Sequence, residues 1–421
     1  MKIIGVMTGN SLDAADAVLT DFSGKEIRDL DARSVPFSAA LTADLLKLRA
    51  AVKGRPAAGF ENDPFFLETL ARYTETVAAA VNALDKTDVA AVGFHGQTCD
   101  HFPPSVAGGE KPYTLQIFDA RKLADLTDLP VVYDFRSDDV LNGGEGAPLV
   151  PAHNAHLAES LPFGTVAFCN AGNTGNIAVM RGRTLAGWDV GPFNHFADRL
   201  VRENTNDSCD KDGVYGRKGR IDPAYLKTLF DSAAKTADGG NFFLKKPPRS
   251  SDPSWYVLPE SDLPFEDRLR TVEYLAAYAF FHTLSFVDGD LPEAFLTFGG
   301  GWNNPLPAED LKGLLNGKGY VLPEHERLFA GLRARFKKPP VFAPADDYGI
   351  GGKYMEARLC ADLAYSKITG RPFTFPETTG VKKPTVAGIW CLPETGKHYP
   401  VEDLLGRPDA WDKKYSRAAK R

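Results

Sequence analysis

Two turns rich in glycine and small polar residues, each set between apolar stretches, constrain this chain more than any other feature. The first is Gly5-Val6-Met7-Thr8-Gly9-Asn10-Ser11-Leu12-Asp13-Ala14-Ala15-Asp16-Ala17-Val18-Leu19. The second is Val166-Ala167-Phe168-Cys169-Asn170-Ala171-Gly172-Asn173-Thr174-Gly175-Asn176-Ile177-Ala178-Val179-Met180. Each reads as apolar strand, polar turn, apolar strand. Both turns hold more Gly, Asn, Thr and Ser than an economical hairpin needs. That composition bares backbone N–H groups and hydroxyls, which suits a phosphate. Two such turns predict two related half-domains gripping one nucleotide.

The chain has 421 residues, more than one core usually supports, so two domains are expected. A net charge of −6 argues against a nucleic-acid binder. The basic Lys382-Lys383 pair and the run from Lys413 to Arg421 read as solvated surface and tail. Cys99, Cys169, Cys209, Cys360 and Cys391 show no zinc spacing, which predicts free thiols in a reducing compartment. Met1-Lys2-Ile3-Ile4 enters a strand at once, leaving no room for a signal peptide. No run of about 18 apolar residues spans a membrane. A cytoplasmic protein is the expectation.

Helices are predicted over 41–52, 65–84, 120–127, 152–161, 194–203, 269–287 and 354–369, and strands over 89–94, 113–118, 131–135, 184–189 and 294–298. A last strand over 386–389 would return to the first domain. Asp207 to Gly219 reads as a loop, and Lys245 to Pro264, rich in Pro, Ser and charge, as surface. The chain restarts near Thr165, at a period far too long for a repeat array, so the pattern is an α/β duplication.

Several residues could carry chemistry. Asp13, just after the first turn, suits Mg²⁺ or a simple turn cap, and Asp16 shares the ambiguity. Asp189 ends a strand before Gly191-Pro192, where it is a general base or a helix cap. His95, delivered with Gly96-Gln97-Thr98 at a strand end, is an acid/base group or a positioning hydrogen bonder. Arg136 is an oxygen clamp or an ion-pair partner of Asp138 or Asp139. Gly299-Gly300-Gly301 permits close approach of a flat group, or is only a turn. Glu356 lies on a helix after Asp347-Tyr348-Gly349-Ile350-Gly351-Gly352. Neither a Walker loop nor a kinase-type GxGxxG with its lysine is present.

The order of segments carries more than any single one. The first turn is followed by His95-Gly96-Gln97-Thr98, Thr114-Leu115-Gln116-Ile117, Asp134-Phe135-Arg136 and Gly143-Gly144-Glu145-Gly146-Ala147-Pro148. Then come Asp189-Val190-Gly191-Pro192, Asp210-Lys211-Asp212-Gly213, Gly299-Gly300-Gly301-Trp302-Asn303-Asn304-Pro305 and Met355-Glu356-Ala357. This series resembles the anhydro-N-acetylmuramic acid kinase family, to which levoglucosan kinase is related, over nearly the whole chain. The resemblance implies the actin, hexokinase and Hsp70-like ATPase fold, with two ribonuclease-H-like domains and a central nucleotide cleft. The expected domains are 1–140 plus about 375–421, and 141–374.

It further implies a cytoplasmic phosphotransferase of peptidoglycan recycling that uses ATP and Mg²⁺, and a possible homodimer. Its partner is a small-molecule sugar, with no nucleic acid and no membrane. Water opens a 1,6-anhydro bond and O6 receives the γ-phosphoryl group, with Asp189 as base. Asp13 and Glu356 fall on the metal carboxylates. The stretch Gly9, Asn10, Ser11, Leu12, Asp13, Ala14, Ala15 and Asp16 falls on the phosphate segment, with Asn173, Thr174, Gly175, Gly299, Gly300 and Gly301 also toward the nucleotide. His95, Gln97, Arg136 and Glu145 hold the sugar.

The chain departs from the family pattern. Asn10 replaces Thr, Ala14-Ala15 replaces Gly-Val, Glu145 replaces Gln, Phe193 replaces Gly, and Trp302-Asn303 replaces Ala-His. The second turn is rewritten. A bulky Phe193 and an anionic Glu145 are expected to disfavour a lactyl carboxylate. A kinase of another sugar, or a non-catalytic nucleotide binder, are the competing readings.

Overall fold

Both polar turns close antiparallel hairpins in the computed structural model, which describes residues 1–9, 12–24, 26–54, 62–181, 184–236, 239–247, 249, 251, 253–395, 397 and 399. The chain divides into two units, Met1–Ser160 with the segment from Gly349 onward, and Leu161–Tyr348. The sequence boundaries at 140 and about 375 therefore differ from the structural ones. The helices Val150–Ser160 and Met355–Thr369, expected in the second domain, belong to the first unit.

The first unit runs β1 (Lys2–Thr8), β2 (Ala14–Asp21), β3 (Arg28–Pro36), α1 (Ala39–Val52), α2 (Pro64–Asn82), β4 (Val89–Phe94), β5 (Gln97–Phe102) and α3 (Pro104–Ala107). It continues with β6 (Tyr113–Ile117), α4 (Ala120–Thr127), β7 (Val131–Tyr133), α5 (Ser137–Leu141) and α6 (Val150–Ser160). The second unit runs β8 (Thr165–Ala171), β9 (Thr174–Arg181), β10 (Thr184–Pro192), α7 (Asn194–Asn204), α8 (Pro223–Ser232) and α9 (Phe265–Thr283). It ends with β11 (Ala294–Phe298), α10 (Pro305–Leu315), α11 (Glu326–Ala334) and β12 (Val341–Pro344). The chain then returns to the first unit with α12 (Met355–Thr369), α13 (Pro376–Thr379) and β13 (Ile389–Cys391).

The strand orders are β13-β7-β4-β1-β2-β3 and β10-β9-β8-β11-β12. In each unit the first three strands pair antiparallel, and the first then pairs parallel with the fourth. Both sheets thus share one ribonuclease-H-like order, which is the duplication the two turns predicted. The predicted return strand exists, shifted to β13, and pairs antiparallel with β7. Strands β5 and β6 form a separate two-stranded sheet.

Sequence explains the central helices. From Leu269 to Thr283, α9 is buried on nearly every face, as an apolar helix threading a core must be. In the first unit, α12 lies directly on β1 and β4, because those strands carry glycine where it crosses. A Cβ on Gly5 would stand 1.9 Å from the Ala357 carbonyl oxygen, and one on Gly93 would stand 2.1 Å from that of Cys360. This seat fixes the first turn of α12, where Glu356 projects. Among the described residues no helix is long and apolar enough to cross a membrane. All five cysteines are free thiols, four of them buried and Cys209 exposed.

Candidate functional site

The turn between β1 and β2 spans residues 9–13, so Ala14, Ala15 and Asp16 of the expected phosphate segment are strand residues. Asn10 and Ser11 lie outside the described residues. Leu12 has φ 55° and is 1% exposed, its side chain packed in the core. Ala15 is likewise fully buried. These two can serve a phosphate only through the backbone. The Leu12 carbonyl accepts the Thr42 hydroxyl at 2.8 Å and the Asp13 carbonyl accepts the Phe37 N–H at 2.8 Å, which set the turn. The exposed Asp13 carboxylate takes the Ala14 N–H at 3.0 Å.

Strand alternation sends Asp16 to the face opposite Ala15 and Ala17. Its Oδ1 is buried and has no hydrogen-bond partner among the described residues. Much of the Glu356 side chain meets solvent, yet protein atoms crowd its carboxyl. That desolvation, and then the charge of Asp16, raise its pKa. The charge of Asp16 thus reaches Glu356, while Asp13, the carboxylate expected beside the metal, lies exposed at the end of the turn. Among the described residues no three His, Cys, Asp or Glu side chains converge on a metal position. Two hard carboxylates with phosphate oxygens and water are nonetheless a donor set suited to Mg²⁺.

The expected sugar-side residues gather in the first unit. Arg136 Nε donates to His95 Nε2 at 2.6 Å, and Arg136 Nη1 donates to the Gly146 carbonyl at 2.7 Å. The other His95 nitrogen, Nδ1–H, donates to its neighbour Gly96 at 3.0 Å. Burial, then the Arg136 charge, pushes His95 down to about 3, so the ring is neutral. With both nitrogens engaged, His95 positions Arg136 rather than acting as an acid or base. Asp139 takes the Thr379 hydroxyl and the Gly146 N–H, each at 2.7 Å, and so clamps the 143–148 loop. Glu145 accepts the Ser105 N–H at 3.2 Å and its hydroxyl at 2.5 Å. His101 connects the group. Its Nδ1 pairs with the Thr114 hydroxyl at 3.0 Å, and its pKa is lowered by burial and by Arg136 while Glu145 opposes. Gln97 is 1% exposed and accepts the Thr8 hydroxyl at 3.2 Å, so it ties β1 to this cluster. Arg136, Glu145 and Gln97, whose Nε2 donates to the Thr98 carbonyl at a long 3.5 Å, keep hydrogen-bonding capacity. Sequence reading missed His101 because nothing local marks it.

In the second unit the rewritten turn is largely consumed by its own fold. The Asn173 carbonyl accepts the N–H groups of Phe193 at 2.9 Å and His195 at 3.4 Å, and the Gly172 carbonyl accepts that of Asn194 at 3.1 Å. The start of α7 is therefore capped internally. The Thr174 hydroxyl pairs with Tyr256 OH at 2.9 Å. Gly175 is required by packing, since a Cβ there would lie 2.8 Å from Phe280. Gly299 (φ 91°) faces the Ala171 carbonyl at 2.5 Å from an added Cβ, and Gly301 faces Phe193 at 2.7 Å. Only Gly300 has open space beside it. Of the three glycines, it alone can admit a ligand atom where a Cβ would stand.

Phe193 faces the core, not an open surface beside Asp189. It is 4% exposed and packs edge-on against Trp302, with centroids 4.9 Å apart, and against Phe280 at 5.8 Å. The two departures from the family pattern, Phe193 and Trp302, are one packed pair in the core.

Asp189, near the end of β10, is held by a segment read as surface in the sequence. Its Oδ2 accepts the Ser251 N–H at 2.8 Å and the Ser251 hydroxyl at 3.2 Å. Its backbone carbonyl accepts Arg249 Nε at 2.9 Å, and its N–H donates to the Arg249 carbonyl at 3.2 Å. Arg249 is 6% exposed and Tyr256 7%, two buried anchors in a stretch whose other described residues are exposed or intermediate, as the surface reading expected. Its Nη1 donates to the Phe242, Phe243 and Lys245 carbonyls, and its Nη2 to the Thr283 hydroxyl at 2.9 Å. Burial pushes Arg249 down to about 10, with the charge of Asp189 opposing.

With this geometry in view, similarity to known proteins becomes informative. Residues 1–392 match the anhydro-N-acetylmuramic acid kinase family. The chain is 31% identical over 404 residues to the anhydro-N-acetylmuramic acid kinase of Agrobacterium fabrum, covering 92% of this chain and 97% of that protein. It is 33% identical over 398 residues to that of Caulobacter vibrioides, covering 92% and 98%. A third such kinase, from Acidiphilium cryptum, is 34% identical over 395 residues, covering 92% and 97%. The matched span takes in every cluster described above, and the chain belongs to the anhydro-N-acetylmuramic acid kinase family.

Proposed function

We propose that this chain is an ATP-dependent kinase that opens the anhydro bridge of 1,6-anhydro-N-acetylmuramic acid and phosphorylates O6, with Asp189 as general base. The observation that carries the reading is the fixed carboxylate of Asp189 in the last half of β10, in a chain of this family. Asp189 takes a proton from water as the water oxygen bonds to C1. The C1–O6 bond breaks and its electron pair passes to O6. O6 then attacks the γ-phosphorus of ATP, and ADP leaves with the bridging pair. The proton held by Asp189 goes to solvent, so anhydrosugar, water and ATP give sugar 6-phosphate, ADP and a proton. Attack from the face opposite the departing oxygen is the inverting arrangement.

Phosphoryl transfer depends on positioning and charge neutralisation more than covalent help. Asp16 and Glu356 would hold Mg²⁺, which neutralises phosphate charge when bound. Arg136 and Glu145 hydrogen-bond the sugar, with His95 and the Asp139 clamp fixing Arg136 and its loop. The test is incubation with ATP, Mg²⁺ and the anhydrosugar in ¹⁸O-water. A ring-opened 6-phosphate with ¹⁸O at C1 supports the reading. Asp189→Asn should cut sugar-dependent ADP release by about 10²–10⁴-fold. Unchanged release by that variant refutes the base. Turnover on a different sugar alone refutes the substrate.

A further inference from the structure

The Asp189 carboxylate is not symmetric. Its Oδ2 carries two donors, the Ser251 N–H at 2.8 Å and the Ser251 hydroxyl at 3.2 Å. Its Oδ1 has no hydrogen bond among the described residues. The Ser251 hydroxyl also meets Tyr256 OH at 2.5 Å, and Tyr256 OH meets the Thr174 hydroxyl at 2.9 Å. Three hydroxyls thus run in a chain from the second polar turn to one oxygen of the carboxylate.

The direction of that chain follows from its end. A carboxylate only accepts, so Ser251 donates its proton to Asp189 Oδ2. Ser251 then accepts from Tyr256, and Tyr256 accepts from Thr174. An oxygen that already takes two hydrogen bonds is the less basic of the pair. Pinning Oδ2 also removes rotation of the carboxylate about its χ2 axis, a freedom that would blur the aim of the other oxygen. The backbone is held as firmly, because Asp189 and Arg249 exchange two hydrogen bonds, at 2.9 and 3.2 Å. Arg249 in turn ties its segment to three carbonyls and Thr283.

We propose that Ser251, backed by the Tyr256 and Thr174 hydroxyls, is a positioning residue of the reaction that pins Oδ2 of Asp189 and commits Oδ1 to take the proton from water. The inference rests on Asp189 being the base. When Oδ1 gains its proton, Oδ2 becomes the carbonyl oxygen of a carboxylic acid and keeps both donors, so no group must turn over during the step. Arg249 carries the loop that makes this geometry.

The test uses the full-length enzyme with Ser251→Ala, Ser251→Thr, Tyr256→Phe and Asp189→Asn, each checked for unaltered thermal unfolding. Ser251→Ala should lower kcat about tenfold, the worth of one hydrogen bond to a charged group, with KM for both substrates within about twofold. Losing a donor to the charged form raises a carboxylate pKa, so the acid limb of its kcat profile should move to higher pH. Ser251→Thr should restore kcat, and Tyr256→Phe should show a smaller loss in the same direction. Wild-type kcat with an unmoved acid limb in Ser251→Ala overturns the proposal, as does a loss confined to KM or a failure of Ser251→Thr to rescue. If Asp189→Asn is inactive while Ser251→Ala is wild type, only this inference falls. If Asp189→Asn remains active, the base reading falls and takes the inference with it.

Discussion

Glu273 lies mid-way along α9, 2% exposed, and faces Asp210 across the loop that precedes α8. Its Oε1 accepts the Asn304 side-chain amide at 2.7 Å. The two oxygens of Asp210 accept the N–H groups of Tyr215 at 2.8 Å and Gly216 at 2.9 Å. No space separates these groups, since a Cβ on Gly216 would stand 2.1 Å from Glu273 Oε2. Burial, then the shared hydrogen bond with Asp210 and its charge, push Glu273 up to about 9 from 4.5, against Asn304 and Arg270. Glu273 therefore keeps its proton at neutral pH, facing the Asp210 carboxylate. A folded-state acid with a raised pKa holds a proton that the unfolded chain has already lost. Stability therefore falls as pH rises from about 4.5 toward 9, by roughly 1.4 kcal/mol per pH unit for a whole proton. Between pH 5 and pH 8 that amounts to about 4 kcal/mol as a ceiling.

Glu273→Gln removes the titration while keeping the contacts. The carboxamide oxygen takes the Asn304 donor, and its NH₂ supplies the hydrogen that Asp210 now receives from the Glu273 carboxyl. The stability difference between variant and wild type should grow in the variant's favour from pH 5 to pH 8. In a unit of this size each kcal/mol moves Tm by about 2–4 °C, so the difference should widen by up to about 8–16 °C. The assay is thermal unfolding of both proteins at pH 5, 6.5 and 8, where every other titration cancels in the subtraction. Parallel curves across that range would falsify the account of a protonated Glu273.

Gly93→Ala should cost about 1–3 kcal/mol and lower Tm, because its Cβ meets the Cys360 carbonyl, whereas Gly300→Ala should leave Tm unchanged within the usual scatter for surface changes. A double-mutant cycle between Phe193 and Trp302 should give a coupling of about 0.5–1.5 kcal/mol in urea unfolding, and a coupling near zero would dissolve the pair. Arg136→Lys loses one of the two bonds to His95 and Gly146, so it should raise the KM of the sugar about tenfold while sparing that of ATP; equal effects on both would remove Arg136 from the sugar side.

Much of the architecture was legible because its signals are local. The strand–turn–strand segments, the apolar run of α9 and the helix that became α12 are patterns of neighbours in sequence, and each formed within a few residues of its predicted span. The family resemblance grouped His95, Gln97, Arg136 and Glu145 of the 143–148 loop, but the His95–Arg136 bond and the Asp139 clamp on that loop needed the fold. The stretch from Lys245 to Pro264 is mostly surface as its composition suggested, but nothing in that composition marked Arg249 and Tyr256 as buried. Arg249 is buried only because carbonyls from Phe242, Phe243 and Lys245, the Thr283 hydroxyl and the Asp189 backbone converge on it.

By itself the sequence determined the duplication, the order of its motifs and hence the family, since hydrophobic period and turn chemistry are written in consecutive residues. Only the tertiary structure decided which of those motif residues face outward. Strand alternation turned Asp16 toward Glu356 and Ala15 into the core, packing claimed Gly175, Gly299 and Gly301, and Trp302 drew Phe193 inward. Those outcomes depend on which atoms arrive from distant segments, and the competition for buried space and hydrogen-bond partners is settled only when the chain has folded.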